Sequence, residues 1–151
     1  MMIQKILVAV DGSDHALAAA GVAADLAVRF GASLTVLHVM THSGTSMVPP
    51  GLEEYAHIEH IFVTEKGVFE AAAQSIVEAA TRRALEEGTP KVEQIIEAGP
   101  PAETITDVAK RIHADMVVLG SRGLSDIQGL LLGSVSHKVG HLAHCTVLTV
   151  K

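Results

Sequence analysis

Short, nearly continuous apolar runs alternate along this chain with longer stretches of helical period. "KILVAV" (Lys5–Val10) reads as a strand covered on both faces, because a strand with one wet face would alternate apolar and polar residues. An alanine-rich helix follows to Phe30, with Leu17, Gly21, Ala24 and Val28 at i, i+4, i+7 and i+11 on one face. Ser13 or Asp14 is placed to cap its start, and Gly31 to close its end. "SLTVLHV" (Ser33–Val39) is a second strand. From Met40 to Glu59 the period is lost, and Gly44, Pro49, Pro50 and Gly51 mark an irregular segment whose length points to function or mobility.

A second helix is expected from about Glu65 to Glu87, with Phe69, Ala73, Ile76 and Ala80 on one side and Gly88 closing it. "KVEQIIEAG" (Lys91–Gly99) holds a third strand and its turn. Pro101 then opens a helix whose buried stripe is Ile105, Val108, Ala109 and Ile112. "DMVVLG" is the fourth strand, Ser134 to about Ala143 the last helix, and "TVLTV" the fifth strand. The order β-α-β-α-β-α-β-α-β predicts an α/β fold. It is a single-domain, open five-stranded parallel sheet over residues 1–151, doubly wound and Rossmann-like, with strand order 3-2-1-4-5.

Composition narrows the picture. With no Trp, one Tyr and three Phe, the core must be aliphatic. A formal net charge of −6 and the lack of any Lys/Arg-rich block argue against a nucleic-acid partner. No apolar run approaches the roughly 20 residues that span a bilayer, so no membrane partner is expected. "MMIQKILVAVDGSD" turns acidic too soon for a signal peptide, and the single Cys145 suits a reducing cytoplasm as a small buried hydrophobe.

In an open parallel sheet, ligands bind beyond the carboxyl ends of the strands where the strand order reverses. Two polar clusters fall there: Asp11-Gly12-Ser13 after strand 1, and Gly120-Ser121-Arg122-Gly123 after strand 4. Glycines let main-chain N–H groups approach an anion, and the helix start at Gly133-Ser134 adds unpaired N–H groups and a positive dipole end. Ser134 and Ser136 supply hydroxyls and Arg122 a cation. Leu124 to Leu132 would fold over the site as a flap. Neither G-x-x-x-x-G-K-[ST] nor G-x-G-x-x-G occurs; the spacing is G-x-x-G, nine residues, then G-S.

"KILVAVDGS", "LHV" at the end of strand 2, "AGPPAETI" and "GSRG…LLGSVSHKV" occur in the order of the universal stress protein family. The chain resembles the nucleotide-binding branch of that family, over essentially its whole length. The resemblance implies the adenine nucleotide alpha hydrolase-like variant of the fold, with ATP (or ADP or AMP) as ligand and Mg²⁺ or Mn²⁺ as a companion ion. It places Leu119, Gly120, Arg122, Gly123, Gly133, Ser134, Val135 and Ser136 at the phosphates and ribose. Ala9, Val10 and Asp11 fall by the base and ribose, with Asp11 also in reach of a nucleotide-bound metal, and the backbone of Val39 reads the adenine edge. Where the family often has proline before its last strand, this chain has Cys145. The family also implies a homodimer through the edge strand 146–150, an otherwise open pairing template.

The expected function is ATP binding in stress survival, with no dedicated catalytic group and at most slow hydrolysis. Three alternatives stay open at this point. An ATP-using nucleotidyl transferase or pyrophosphatase would want an H-x-G-H or S-G-G-x-D-S element near strand 1, where "DGSDH" stands. A phospho-receiver would want an aspartate ending strand 3, where Glu97 stands. A nucleotide-independent dimeric scaffold would leave the glycine segment empty. His137, His141 and His144 share a face of the last helix and could ligate Zn²⁺, but exposed or packing histidines describe them better. His57 and His60 read as solvated.

Overall fold

A computed structural model describes residues 1–41, 65–123 and 132–151. The irregular segment beyond Thr41, with His57 and His60, and the flap from Leu124 to Leu131 lie outside the described residues. Five strands, β1 (Lys5–Ala9), β2 (Ser33–Met40), β3 (Val92–Ala98), β4 (Met116–Gly120) and β5 (Thr146–Val150), form one parallel sheet in the order β3-β2-β1-β4-β5. Among the described residues four helices cover it: α1 (Asp14–Phe30), α2 (Glu65–Glu86), α3 (Pro101–Arg111) and α4 (Ser134–Leu142). This is the fold class and strand order that the sequence predicts.

The continuous apolar runs have a simple cause. Ile6, Val8 and Val10 face a core shared with α1 and α2, while Leu7 and Ala9 face a second core shared with α3 and α4. Val118 and Val117 of β4 split the same way, and Ile6, Leu7, Val8, Val117 and Val118 are fully buried. Each such side chain contributes about 1.5–3 kcal/mol relative to exposure, so β1 and β4 anchor the sheet's centre.

The first helix buries a different face from the one its larger apolar residues suggest. Leu17 and Val28 are exposed, whereas Ala16, Ala19, Ala20, Ala23, Ala24 and Ala27 pack inward. α1 lies close to both the sheet and α2. A Cβ added at Gly21 would stand 2.8 Å from the Arg83 guanidinium of α2, which lies directly over this glycine. Ser13 is the N-cap, accepting the Ala16 N–H at 3.1 Å, and Gly31 closes the helix. In α2, Ala73 and Ala80 are buried as expected, joined by Val77 and Ala84, while Phe69 remains 37% exposed.

At the opposite end of the sheet from the strands' carboxyl termini, Asp115 clamps the entrance to β1. Its Oδ2 accepts the Gln4 and Lys5 N–H groups at 2.8 and 3.0 Å. These bonds hold its carboxyl below the ordinary aspartate range. A depressed folded-state pKa contributes stability above the unfolded value of about 3.9, and that contribution is lost as pH falls through the folded value. Asp115→Asn should therefore be less stable than wild type at pH 6, with the gap narrowing on acidification to pH 3.5. Urea melts at the two pH values check this; a gap that stays constant or widens would remove the clamp from the account.

Candidate functional site

The turn after β1 is built from its own side chains. Asp11 Oδ1 accepts the Ser13 N–H at 2.9 Å, the short loop an aspartate forms with the backbone two residues on. Gly12 sits at φ 88, in the left-handed region, and a Cβ there would also meet the Ile76 side chain of α2 at 3.2 Å. The Val10 N–H donates to the Leu37 carbonyl at 2.8 Å, carrying the β1–β2 pairing to the lip of the turn. His38 Nδ1 lies 2.7 Å from the Val10 carbonyl. A carbonyl only accepts, so Nδ1 carries the proton.

On the other side, one carbonyl gathers the glycine segment. Ser121 is 2% exposed, and its N–H donates to Val150 of the edge strand at 2.7 Å. Its carbonyl accepts the Gly133 N–H at 2.6 Å and the Ser136 hydroxyl at 3.2 Å. The start of α4 is thus pinned to the end of β4 across the intervening chain. This corrects two details of the sequence reading. The Gly133 N–H and the Ser136 hydroxyl, which also reaches the Gly133 carbonyl at 3.0 Å, are spent on the protein itself. The amides of Ser134, Val135 and Ser136 precede the first i−4 bond of α4, from the His137 N–H to the Gly133 carbonyl, and Gly133 provides no side chain to cap them.

Gly120 also has a role that the sequence does not reveal. A Cβ there would lie 2.9 Å from the His15 carbonyl carbon and Cβ, and 3.1 Å from the Ala16 nitrogen. The end of β4 and the first turn of α1 touch backbone to backbone.

Between these two edges lies a cleft of about 470 Å³ at the carboxyl ends of β1, β2 and β4. Ala9, Val10, Asp11, Val39, Leu119, Gly120, Arg122, Gly123, Gly133, Ser134, Val135 and Ser136 all line it, whereas Gly12, Ser13 and Ser121 of the two clusters do not. Lys138 is drawn aside by Glu103 of α3, which leaves Arg122 as the cation lining the cleft among the described residues. The sequence reading missed a whole wall: His38 from β2, and Phe69, Ala72 and Ile76 from α2. The available signal was Phe69, an aromatic one helical turn ahead of the buried Ala73. The histidines of α4 are exposed, and the His137 and His141 rings meet edge to face. Cys145 is half-buried in the core under α3 and α4; burial, then the Asp115 charge, pushes its thiol up, as befits a packing residue.

The cleft between the turn after β1 and the helix start after β4 lies where doubly wound α/β sheets take their ligands, beyond the strands' carboxyl ends at the reversal of strand order. A family model described as "Universal stress protein family" matches residues 2–151, and the chain belongs to that family. It is 36% identical over 151 residues to universal stress protein YxiE of Bacillus subtilis, covering 99% of this chain and 100% of that one. Among solved structures it is similar to universal stress protein UspA from Lactobacillus plantarum, with a TM-score of 0.79 and 28% identity over 100% of this chain and 99% of that one. A universal stress protein solved in complex with cAMP has a TM-score of 0.69 and 28% identity, covering 99% of this chain and 98% of that one. Among the described residues no helix is long and apolar enough to cross a membrane.

Proposed function

We propose that this stress protein binds an adenine nucleotide, ATP foremost, in the cleft between β1 and β4, and that occupancy sets its conformation or choice of partner. The observation that carries the reading is the convergence on one cleft of two clusters more than a hundred residues apart in sequence, Asp11 after β1 and Gly120 to Ser136 after β4. The cleft is divided as a nucleotide is. One half is apolar, with Val39, Ala72 and Ile76 offering a slot for a base; the other holds Arg122 and the amide-rich start of α4, suited to phosphates. Its volume of about 470 Å³ lies within the range of roughly 300–1,000 Å³ for small-molecule sites. The relative solved with cAMP lends support to an adenine nucleotide.

Hydrolysis is at most slow in this reading. Fast cleavage wants a carboxylate positioning water at the γ-phosphate and a firm metal site. Asp11 already spends Oδ1 on its own turn. A Mg²⁺ or Mn²⁺ ion would arrive on the phosphates, with Asp11 as its protein carboxylate. The protein works in the cytoplasm in this account, as a homodimer paired through β5, which is hydrogen-bonded to β4 along one edge. A monomer mass at every concentration would contradict the dimer.

Isothermal titration of nucleotide-stripped protein tests the function. ATP should bind with micromolar affinity and more tightly than AMP or cAMP, since more phosphate reaches the α4 amides. Asp11→Ala should bind more weakly while remaining folded. Wild-type protein that takes up no nucleotide, with or without Mg²⁺, would sink the reading in favour of a scaffold.

A further inference from the structure

Outside the cleft, α4 carries a pair of side chains that no nucleotide role uses. His137 and His141 are four residues apart, both exposed, with ring centroids 4.7 Å apart and planes at 72°. We propose that they chelate a late first-row divalent ion, Cu²⁺ ahead of Zn²⁺, at a site separate from the cleft.

The spacing is what the chemistry asks for. Histidines at i and i+4 share a helix face, the arrangement that holds zinc where two imidazoles project from one helix. With a metal–nitrogen bond of about 2.0–2.1 Å and the nitrogen about 1.1 Å from the ring centre, a 4.7 Å centroid separation corresponds to a nitrogen–metal–nitrogen angle of about 95°. That value is close to the right angle between neighbouring ligands of a square-planar ion such as Cu²⁺. The rings need only turn about χ2, which is broad for histidine, to aim one nitrogen each at the shared point.

The surroundings favour a cation. Lys138, the positive residue between them in sequence, is held by Glu103 of α3. Gly140 has nothing within 4 Å of where a Cβ would stand, leaving open space beside His141 for water ligands. His141 lies in the last turn of α4, where the helix dipole is negative, and the chain's formal net charge is −6. Among the described residues no group of three or more metal-binding side chains converges, so water completes the coordination. Imidazole donors set this site apart from Mg²⁺ and Ca²⁺, which prefer oxygen.

The test is a competition titration of Cu²⁺ and of Zn²⁺ against a chromogenic chelator, using the full chain in metal-free buffer. Wild type should take up one equivalent, Cu²⁺ more tightly than Zn²⁺, undisturbed by millimolar Mg²⁺. His137→Ala and His141→Ala should each weaken binding about tenfold or more, because either change turns a chelate into a single contact. His144→Ala should bind as wild type does. The paramagnetic resonance of one equivalent of Cu²⁺ should show two equatorial nitrogens, falling to one in either variant. His137→Gln and His141→Gln provide a second pair should alanine disturb the helix. A folded His137→Ala/His141→Ala protein that binds as tightly as wild type, or a Cu²⁺ spectrum unchanged by either substitution, overturns the proposal.

Discussion

Gly120→Ala is expected to lower the free energy of unfolding by about 1–3 kcal/mol, the cost of forcing a methyl group into a filled space. The added carbon would stand 2.9 Å from the His15 carbonyl carbon, and backbone cannot swing aside as a flexible side chain can. Relief requires β4 and α1 to move apart, at the place where Leu119 and Ala16 are buried. For a domain of this size the melting temperature should fall by about 2–4 °C per kcal/mol. Urea and thermal melts of the ligand-free protein measure the effect. A variant as stable as wild type that loses only nucleotide affinity would mean that Gly120 is needed for ligand approach alone.

Ser134→Glu should do the reverse, leaving stability intact and destroying binding. Ser134 is the first residue of α4 and is exposed, so a carboxylate there meets the positive end of the helix dipole and favours the helix by about 0.3–1 kcal/mol. The same charge faces the incoming phosphates. At about 5 Å and an effective dielectric of about 20, one pair of negative charges costs about 3 kcal/mol, or more than a hundredfold in affinity. Titration beside a thermal melt separates the two effects. If the variant binds ATP as wild type does, the phosphates do not sit at the start of α4.

Much of this was legible in the sequence because it is local. Continuous apolar runs mean strands buried on both faces, and Ser13 and Gly31 cap α1 where they were expected to. The place of the cleft was legible because the sheet topology fixes where the ends of β1 and β4 must meet. Long-range packing was not. The burial of the alanine face of α1, with Leu17 and Val28 left outside, follows from how closely α2 approaches, and periodicity carries no information on that distance. Nor does the sequence show that the Ser121 carbonyl takes up the Gly133 N–H and the Ser136 hydroxyl. The turn after α3 is similar: His113 adopts a left-handed φ of 54 there, a position where glycine would have been the signal.

The central claim, that a nucleotide sits between the ends of β1 and β4, is tested most directly by amide resonances of labelled protein during addition of ATP. The account predicts shifts concentrated at residues 9–11, 38–41, 119–123 and 133–136, with the Ser134 and Val135 amides among the largest because they meet phosphate. Shifts gathered elsewhere, or none at millimolar ATP, would contradict it.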